Sequence, residues 1–168
     1  MPANTKGAAK SAPSRANAFD LTITRTFNAP RDLVWRLFTE PHHLMQWMGP
    51  RNFEARNFTQ DARVGGKWRG MLHPTNGGED LWQGGTFRAI DPPSHISYTF
   101  AWDDENGKPG HETIVTLDFE AAGNKTKLTF RQTDFPTAEE RDGHRGGWSQ
   151  SFDKFEEYLA AVSQRSAK

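Results

Sequence analysis

Histidine, tyrosine, arginine and serine supply the reactive atoms available to this chain. It holds no cysteine, which removes thiolate nucleophiles, thiolate metal ligands and disulfides. His144 stands four residues before Trp148, so a helix would set both on one face. An imidazole there can serve as acid or base at neutral pH. Equally, it can be hydrogen-bonded to a loop or strand end and only hold the helix. Arg69 and Met71 share one face of a short alternating segment, opposite Trp68. On a concave face Arg69 would meet a ligand carboxylate. On a convex face it would be an ordinary solvated charge, and period-two reasoning does not choose between the two. Tyr98 alternates with Ile96, Phe100 and Trp102. That apolar set must face inward, so the tyrosine hydroxyl is offered to a ligand or to neighbouring groups.

Other reactive-looking residues lack the surroundings their chemistry needs. Ser149 and Ser151 lie near His144, but no Gly-x-Ser-x-Gly elbow or placed acid accompanies them. His42 and His43 are adjacent. On a helix they point about 100° apart and cannot chelate one ion in the i, i+4 manner. His73, His95 and His111 are scattered, so no metal site and no cofactor is expected. The glycine pairs at 65–66, 77–78 and 84–85 have no strand, loop, lysine and helix context for a phosphate loop.

The elements that must position these residues are legible from periodicity. Phe19 to Phe27 alternates as a first strand with Phe19, Leu21 and Ile23 on one face. Pro30 suits the first turn of a helix whose buried stripe is Val34, Leu37 and Phe38. Thr39 and Pro41 open a second short helix that buries Leu44, Trp47 and Met48 before Gly49-Pro50 stops it. Strands are expected at 53–58, 67–73, 81–90, 96–102, 113–119 and 126–130, with a bulge or bend at Gly84-Gly85. Turns at 61–66, 91–94 and 122–124 separate them, as in an antiparallel meander. Thr137 and Glu140 form a capping-box pattern. Trp148, Phe152, Phe155, Leu159 and Val162 then repeat as one buried helical stripe. Gly146 and Gly147 inside that helix suggest a close approach or a kink. Strand, two short helices, a meander and one long helix together describe a curved sheet gripping a helix, with a cavity at its mouth.

Composition bounds the class. The 168 residues favour one domain with a core that needs no staples. Residues 1–18 carry Lys6, Lys10 and Arg15 and no acid, and no large apolar residue beyond Met1. They are expected to be a flexible tail, followed by a domain over 19–163 and a short tail over 164–168. Residues 19–168 carry three more acids than bases, so nucleic acid is not an expected partner. No apolar run reaches the length of a membrane helix. The cysteine-free composition fits a reducing compartment, and a cytoplasmic location is expected. Twelve Phe, six Trp and two Tyr against 35% hydrophobic residues make large rings much of the apolar inventory. Tryptophan N–H groups need partners, so six of them suit pocket walls or an interface as well as a curved core.

Four segments carry a family resemblance. They are Ala-Pro-x-x-Leu-Val-Trp from Ala29 through Trp47-Met48-Gly49-Pro50; Asp61-x-Arg63-x-Gly65-Gly66-x-Trp68-Arg69; Gly85-x-Phe87 leading into Asp91-Pro92-Pro93; and Gly143-His144-x-x-Gly147-Trp148. In this order the chain resembles the activator-of-Hsp90-ATPase-homologue-like family, within the START-like (Bet v 1-like, SRPBCC) superfamily. The resemblance implies an α+β helix-grip fold, with about six to seven antiparallel strands curved around a long C-terminal helix. It also implies a central cavity lined by the concave sheet face and the helices. The cavity candidates are Trp47, Met48, Arg69, Met71, Phe87, Tyr98, Phe100, His144, Trp148 and Phe152. The superfamily includes binders of lipids, steroids and aromatic molecules and some cyclases, and implies no single activity. The first expectation is binding of a small apolar or aromatic ligand. The alternatives are an enzyme of the cyclase or hydrolase kind using His144, Tyr98 or Arg69, and a protein-interaction or Hsp90-co-chaperone-like role, with homodimerisation as its milder version. The eukaryotic co-chaperones carry a large extra N-terminal domain where this chain has its 18-residue tail, so a chaperone partner is not expected.

Overall fold

Alternating apolar residues build seven strands, and two helical stripes close over them. The computed structural model describes residues 19–166, so the expected tail over 1–18 lies outside the described residues. The elements are β1 (Phe19–Phe27), α1 (Arg31–Thr39), α2 (Pro41–Leu44), β2 (Phe53–Gln60), β3 (Lys67–Pro74), β4 (Leu81–Asp91), β5 (His95–Trp102), β6 (Thr113–Ala122), β7 (Lys125–Phe135) and α3 (Ala138–Ser166). The seven strands form one sheet in the order β1-β7-β6-β5-β4-β3-β2, with every neighbouring pair antiparallel. All neighbours but β1 and β7 are consecutive in sequence, because short turns join them. This is the expected helix-grip architecture. Among the described residues no helix is long and apolar enough to cross a membrane.

The sheet's inner face carries the core. Val115, Leu117 and Phe119 on β6, and Leu128 and Phe130 on β7, are buried at alternate positions. Phe152, Phe155 and Leu159 of α3 pack onto them, and Val34, Leu37 and Phe38 of α1 close the same core. Phe155 meets Phe27, Phe38 and Trp47 at ring-centroid separations of 4.7, 4.5 and 5.0 Å. Arg25 straps β1 to the outside of α3. It reaches Asp153 at 3.0 Å, Glu156 at 3.1 Å and the Ser149 carbonyl at 3.2 Å.

Several local expectations shift. Pro30 is the extended N-cap residue and α1 begins at Arg31. The second helix is a single turn, and a further turn carries the chain to Trp47. The Thr137 hydroxyl accepts the Glu140 N–H at 3.1 Å, as the capping pattern requires. α3 continues to Ser166, past the tail boundary expected at 164. The β4–β5 register slips between Phe87 and Ala89, not at Gly84-Gly85. Gly85 serves close approach instead, since a Cβ there would lie 1.8 Å from the Thr99 carbonyl oxygen. The Thr99 hydroxyl accepts the Thr86 N–H across that narrow point. The α3 glycines do not act this way. A Cβ on Gly146 would meet nothing, and one on Gly147 would only touch Pro50 at 3.5 Å.

Candidate functional site

The strand register decides which residues face the concave side. Trp68 and Leu72 of β3 turn inward with Gly70, whose missing side chain makes room for the Phe58 ring. The other face of β3 carries Arg69 and Met71. Arg69 donates to Asp103 Oδ1 at 3.0 Å, makes a second bond to Oδ2 and lies over the Trp82 ring at 4.9 Å. These hydrogen bonds hold the Asp103 carboxyl below its ordinary range and raise the guanidinium. Two expected cavity residues therefore lie on the convex side, because period two puts them opposite Trp68. A third, Phe152, is fully buried among Phe38, Trp47, Phe130 and Trp148, and belongs to the core rather than to the cavity wall.

The concave face encloses a cavity of two adjoining lobes. The larger, about 320 Å³, lies under α1 and the α1–α2 corner and against β2 to β6. Trp47, Met48, Phe87, Tyr98 and Trp148 line it, and Trp35, Phe38, Phe58 and Trp68 add rings that the sequence reading did not select. The smaller lobe, about 150 Å³, is lined by Phe100 and His144, with Leu72, Phe53 and Trp102 beside them. Met48, Gln83 and Trp148 line both lobes and mark where they meet. Trp47 has two roles. It faces the larger lobe, and its N–H donates to the Leu37 carbonyl at 3.0 Å with the ring packed on Phe38.

A buried polar network lies along the wall of the smaller lobe. Trp102 Nε1–H donates to His144 Nε2 at 3.0 Å, and His144 Nδ1 lies 3.2 Å from Gln132 Oε1. An indole N–H only donates, so Nε2 carries no proton and Nδ1–H donates to the amide oxygen. Trp148 Nε1–H donates to the same oxygen at 2.8 Å, while Gln132 Nε2 donates to Thr113 Oγ1 at 2.8 Å. Thr113 in turn donates to the Phe100 carbonyl at 3.3 Å. Burial pushes the His144 pKa down to about 4. Its ring is therefore neutral near pH 7 with both nitrogens occupied. This is the holding role rather than that of a free acid or base. Gln132, fully buried, was missed by sequence reading, although it continues the inward series Thr126, Leu128 and Phe130.

One further group escaped the sequence reading, and another stands differently from its expectation. Lys154 of α3 reaches the carbonyls of Gly49, Pro50 and Phe53 at 3.0, 3.4 and 3.4 Å, and so pins the loop that walls the smaller lobe. Burial lowers its pKa. At the outer rim, Glu40, His42 and His43 bring their ligand-type atoms within 4.8 Å of one another. The divergence expected for neighbouring helical histidines does not hold, because α2 is one turn long and Glu40 stands at its N-cap. Their rings lie 4.1 Å apart, and His43 Nδ1 is 2.7 Å from the Tyr158 hydroxyl.

A curved antiparallel sheet closed by a long C-terminal helix over an aromatic cavity defines the helix-grip class. The sequence matches the family of activator of Hsp90 ATPase homolog 1-like proteins over residues 28–160, and the chain belongs to that family. Among solved structures, the AHSA1 protein from Silicibacter pomeroyi superposes with a TM-score of 0.78 at 23% identity, covering 86% of this chain and 99% of that one. A protein from Arthrobacter aurescens gives 0.75 at 25% identity over 84% and 86%. One from Chromobacterium violaceum gives 0.73 at 25% over 83% and 96%. No curated protein matches the chain.

Proposed function

We propose that the chain binds a small apolar or aromatic molecule in the central cavity. The observation that carries this reading is the larger lobe of about 320 Å³, walled by rings from α1, β2, β3, β4, β5 and α3. That volume reaches the range of small-molecule sites, roughly 300–1,000 Å³. The family supports the same reading, and the cysteine-free chain fits a cytoplasmic location. A catalytic role is less well supported. His144 is neutral and doubly hydrogen-bonded, Tyr98 is pushed above its ordinary range by burial, and Arg69 lies outside the cavity. A chaperone or other protein-interaction role is also less well supported. Among the described residues the exposed large hydrophobics are Phe19, Val64 and Leu81. Phe19 is on the edge strand β1, Val64 is in the turn before β3, and Leu81 opens β4 opposite Leu72 near the far end of β3, so they form no patch.

Native mass spectrometry of the purified protein, compared with its denatured mass, tests the proposal. Extra mass lost on denaturation is the expected result. A clean ligand-free mass, together with no change in tryptophan fluorescence on titration with naphthalene up to its solubility limit, refutes it.

A further inference from the structure

Among the described residues, Gln83 is the one polar side chain of the cavity wall that is almost wholly removed from solvent yet has no hydrogen-bond partner. It is 4% exposed and lines both lobes where they meet. Among the described residues its amide has no hydrogen-bond partner. A buried amide without a partner is costly, and proteins satisfy such groups with few exceptions. Gln132 shows the contrast, since that buried glutamine has both ends of its amide engaged. Tyr98 repeats the pattern on the neighbouring strand. It lines the larger lobe, packs edge-on to Trp68 and Phe87, and its hydroxyl has no partner among the described residues. Gln83 pairs with Trp102 across β4 and β5, and Tyr98 lies four residues along β5 from that point. The two polar groups are thus separated by about 13 Å of wall at the backbone.

The charge around them is equally specific. Neither lobe is lined by lysine or arginine, and the only histidine is His144, which is held neutral. The one ionisable acid, Glu40, stands on the corner between α1 and α2 and is 42% exposed. An anion taken inside would lose its hydration with no counter-charge, and a cation would find one only at the rim.

We infer that Gln83 is the polar anchor of the cavity, with Tyr98 as a second contact, and that the ligand is an uncharged aromatic molecule bearing a group that both donates and accepts hydrogen bonds, such as a carboxamide. The inference rests on the cavity-binding reading above and names the ligand class of that same site. The primary amide of Gln83 offers a carbonyl and an N–H side by side, so a carboxamide can pair with it through two hydrogen bonds. Rings on the ligand then occupy the lobe lined by Trp68 and Phe58.

The test uses the full chain and its Gln83→Leu and Tyr98→Phe variants, titrated calorimetrically near neutral pH with naphthalene, naphthalene carboxamide and naphthalene carboxylate. In the unaltered chain the carboxamide should bind at least about tenfold more tightly than naphthalene, the scale of one well-made hydrogen bond. The carboxylate should bind most weakly. Within Gln83→Leu the carboxamide should bind within about threefold of naphthalene, and Tyr98→Phe should lower the preference in part. Gln83→Leu should also unfold at an unchanged or higher urea concentration, because it removes an unpaired amide. If naphthalene binds but the carboxamide has no advantage, or keeps it in Gln83→Leu, the anchor role is overturned and the cavity reading stands. A loss of stability in Gln83→Leu without ligand would assign Gln83 to the fold and overturn the anchor role too. If no probe binds and the native mass shows no retained ligand, the cavity reading itself fails and the anchor falls with it.

Discussion

Lowering the pH from about 7 to about 5 should cost the protein about 2 kcal/mol of stability through His144 alone. In the folded state its pKa is pushed from 6.5 down to about 4, because burial disfavours the imidazolium. Protonation would also cost the bond from Trp102, whose N–H needs an unprotonated Nε2. A histidine held below its unfolded pKa binds fewer protons in the native state, so stability is lost as the pH falls below about 6.5. The loss grows until the pH nears 4, where the folded ring also protonates. Across the whole window it is roughly 3 kcal/mol, at about 1.4 kcal/mol per pH unit. The window from about pH 7 to about pH 5 captures most of it while the carboxylates remain ionised. The assay is urea unfolding at both pH values for the unaltered chain and for His144→Gln, a side chain that hydrogen-bonds but does not titrate. The variant should be less stable at neutral pH and should lose about 2 kcal/mol less on acidification. Equal pH dependence in the two proteins, or an NMR titration of His144 near its ordinary value, would refute the buried, proton-free assignment.

The other expectations concern the network, the sheet and the core. Gln132→Leu orphans the Trp148 N–H and the His144 Nδ1–H. At about 1–3 kcal/mol each, partly offset by removing a buried amide, the net cost in urea unfolding should be about 2–4 kcal/mol. Gly85→Ala drives a methyl into the Thr99 carbonyl, a backbone atom that cannot rotate aside. It should cost about 3 kcal/mol or more, or leave the protein insoluble on expression. Phe155→Ala removes a fully buried ring packed against three others and should lower stability by about 3–5 kcal/mol. Arg69→Ala breaks a convex-face ion pair in which the arginine is 45% exposed. It should change stability by less than about 1 kcal/mol and leave naphthalene binding untouched, whereas a loss of binding would return Arg69 to the cavity.

The site was less legible than the fold, and particular residues show why. Trp68 and Arg69 alternate, so sequence alone shows that they face opposite ways but not which way is in. The direction is set by the whole sheet's curvature and by the helix it closes on. Phe152 carries the same helical stripe signal as Trp148. Whether a ring fills the core or walls a cavity depends on what the opposite element leaves open. His144 and Gln132 are separated in chain and lie on different elements, and their hydrogen bond exists only once α3 is laid across β7. Gln83 sits between Trp82 and Gly84, where nothing local distinguishes an inward amide from a solvated one.

The sequence by itself determined the elements and their order. Period-two alternation, the capping threonine, Gly-Pro stops and a single apolar stripe are local properties, fixed by backbone sterics and by which residues avoid water. It also determined that rings would make up much of the interior, because Phe, Trp and Tyr together are nearly as numerous as Leu, Ile, Val and Met. Tertiary structure alone decided which face of β3 is concave and which rings border empty space rather than one another. It also decided which buried polar groups find partners and which, like Gln83, do not. Those outcomes depend on distances between segments far apart in the chain, and a polar group's state depends on whether a partner lies within about 3 Å once the sheet has curved around its helix.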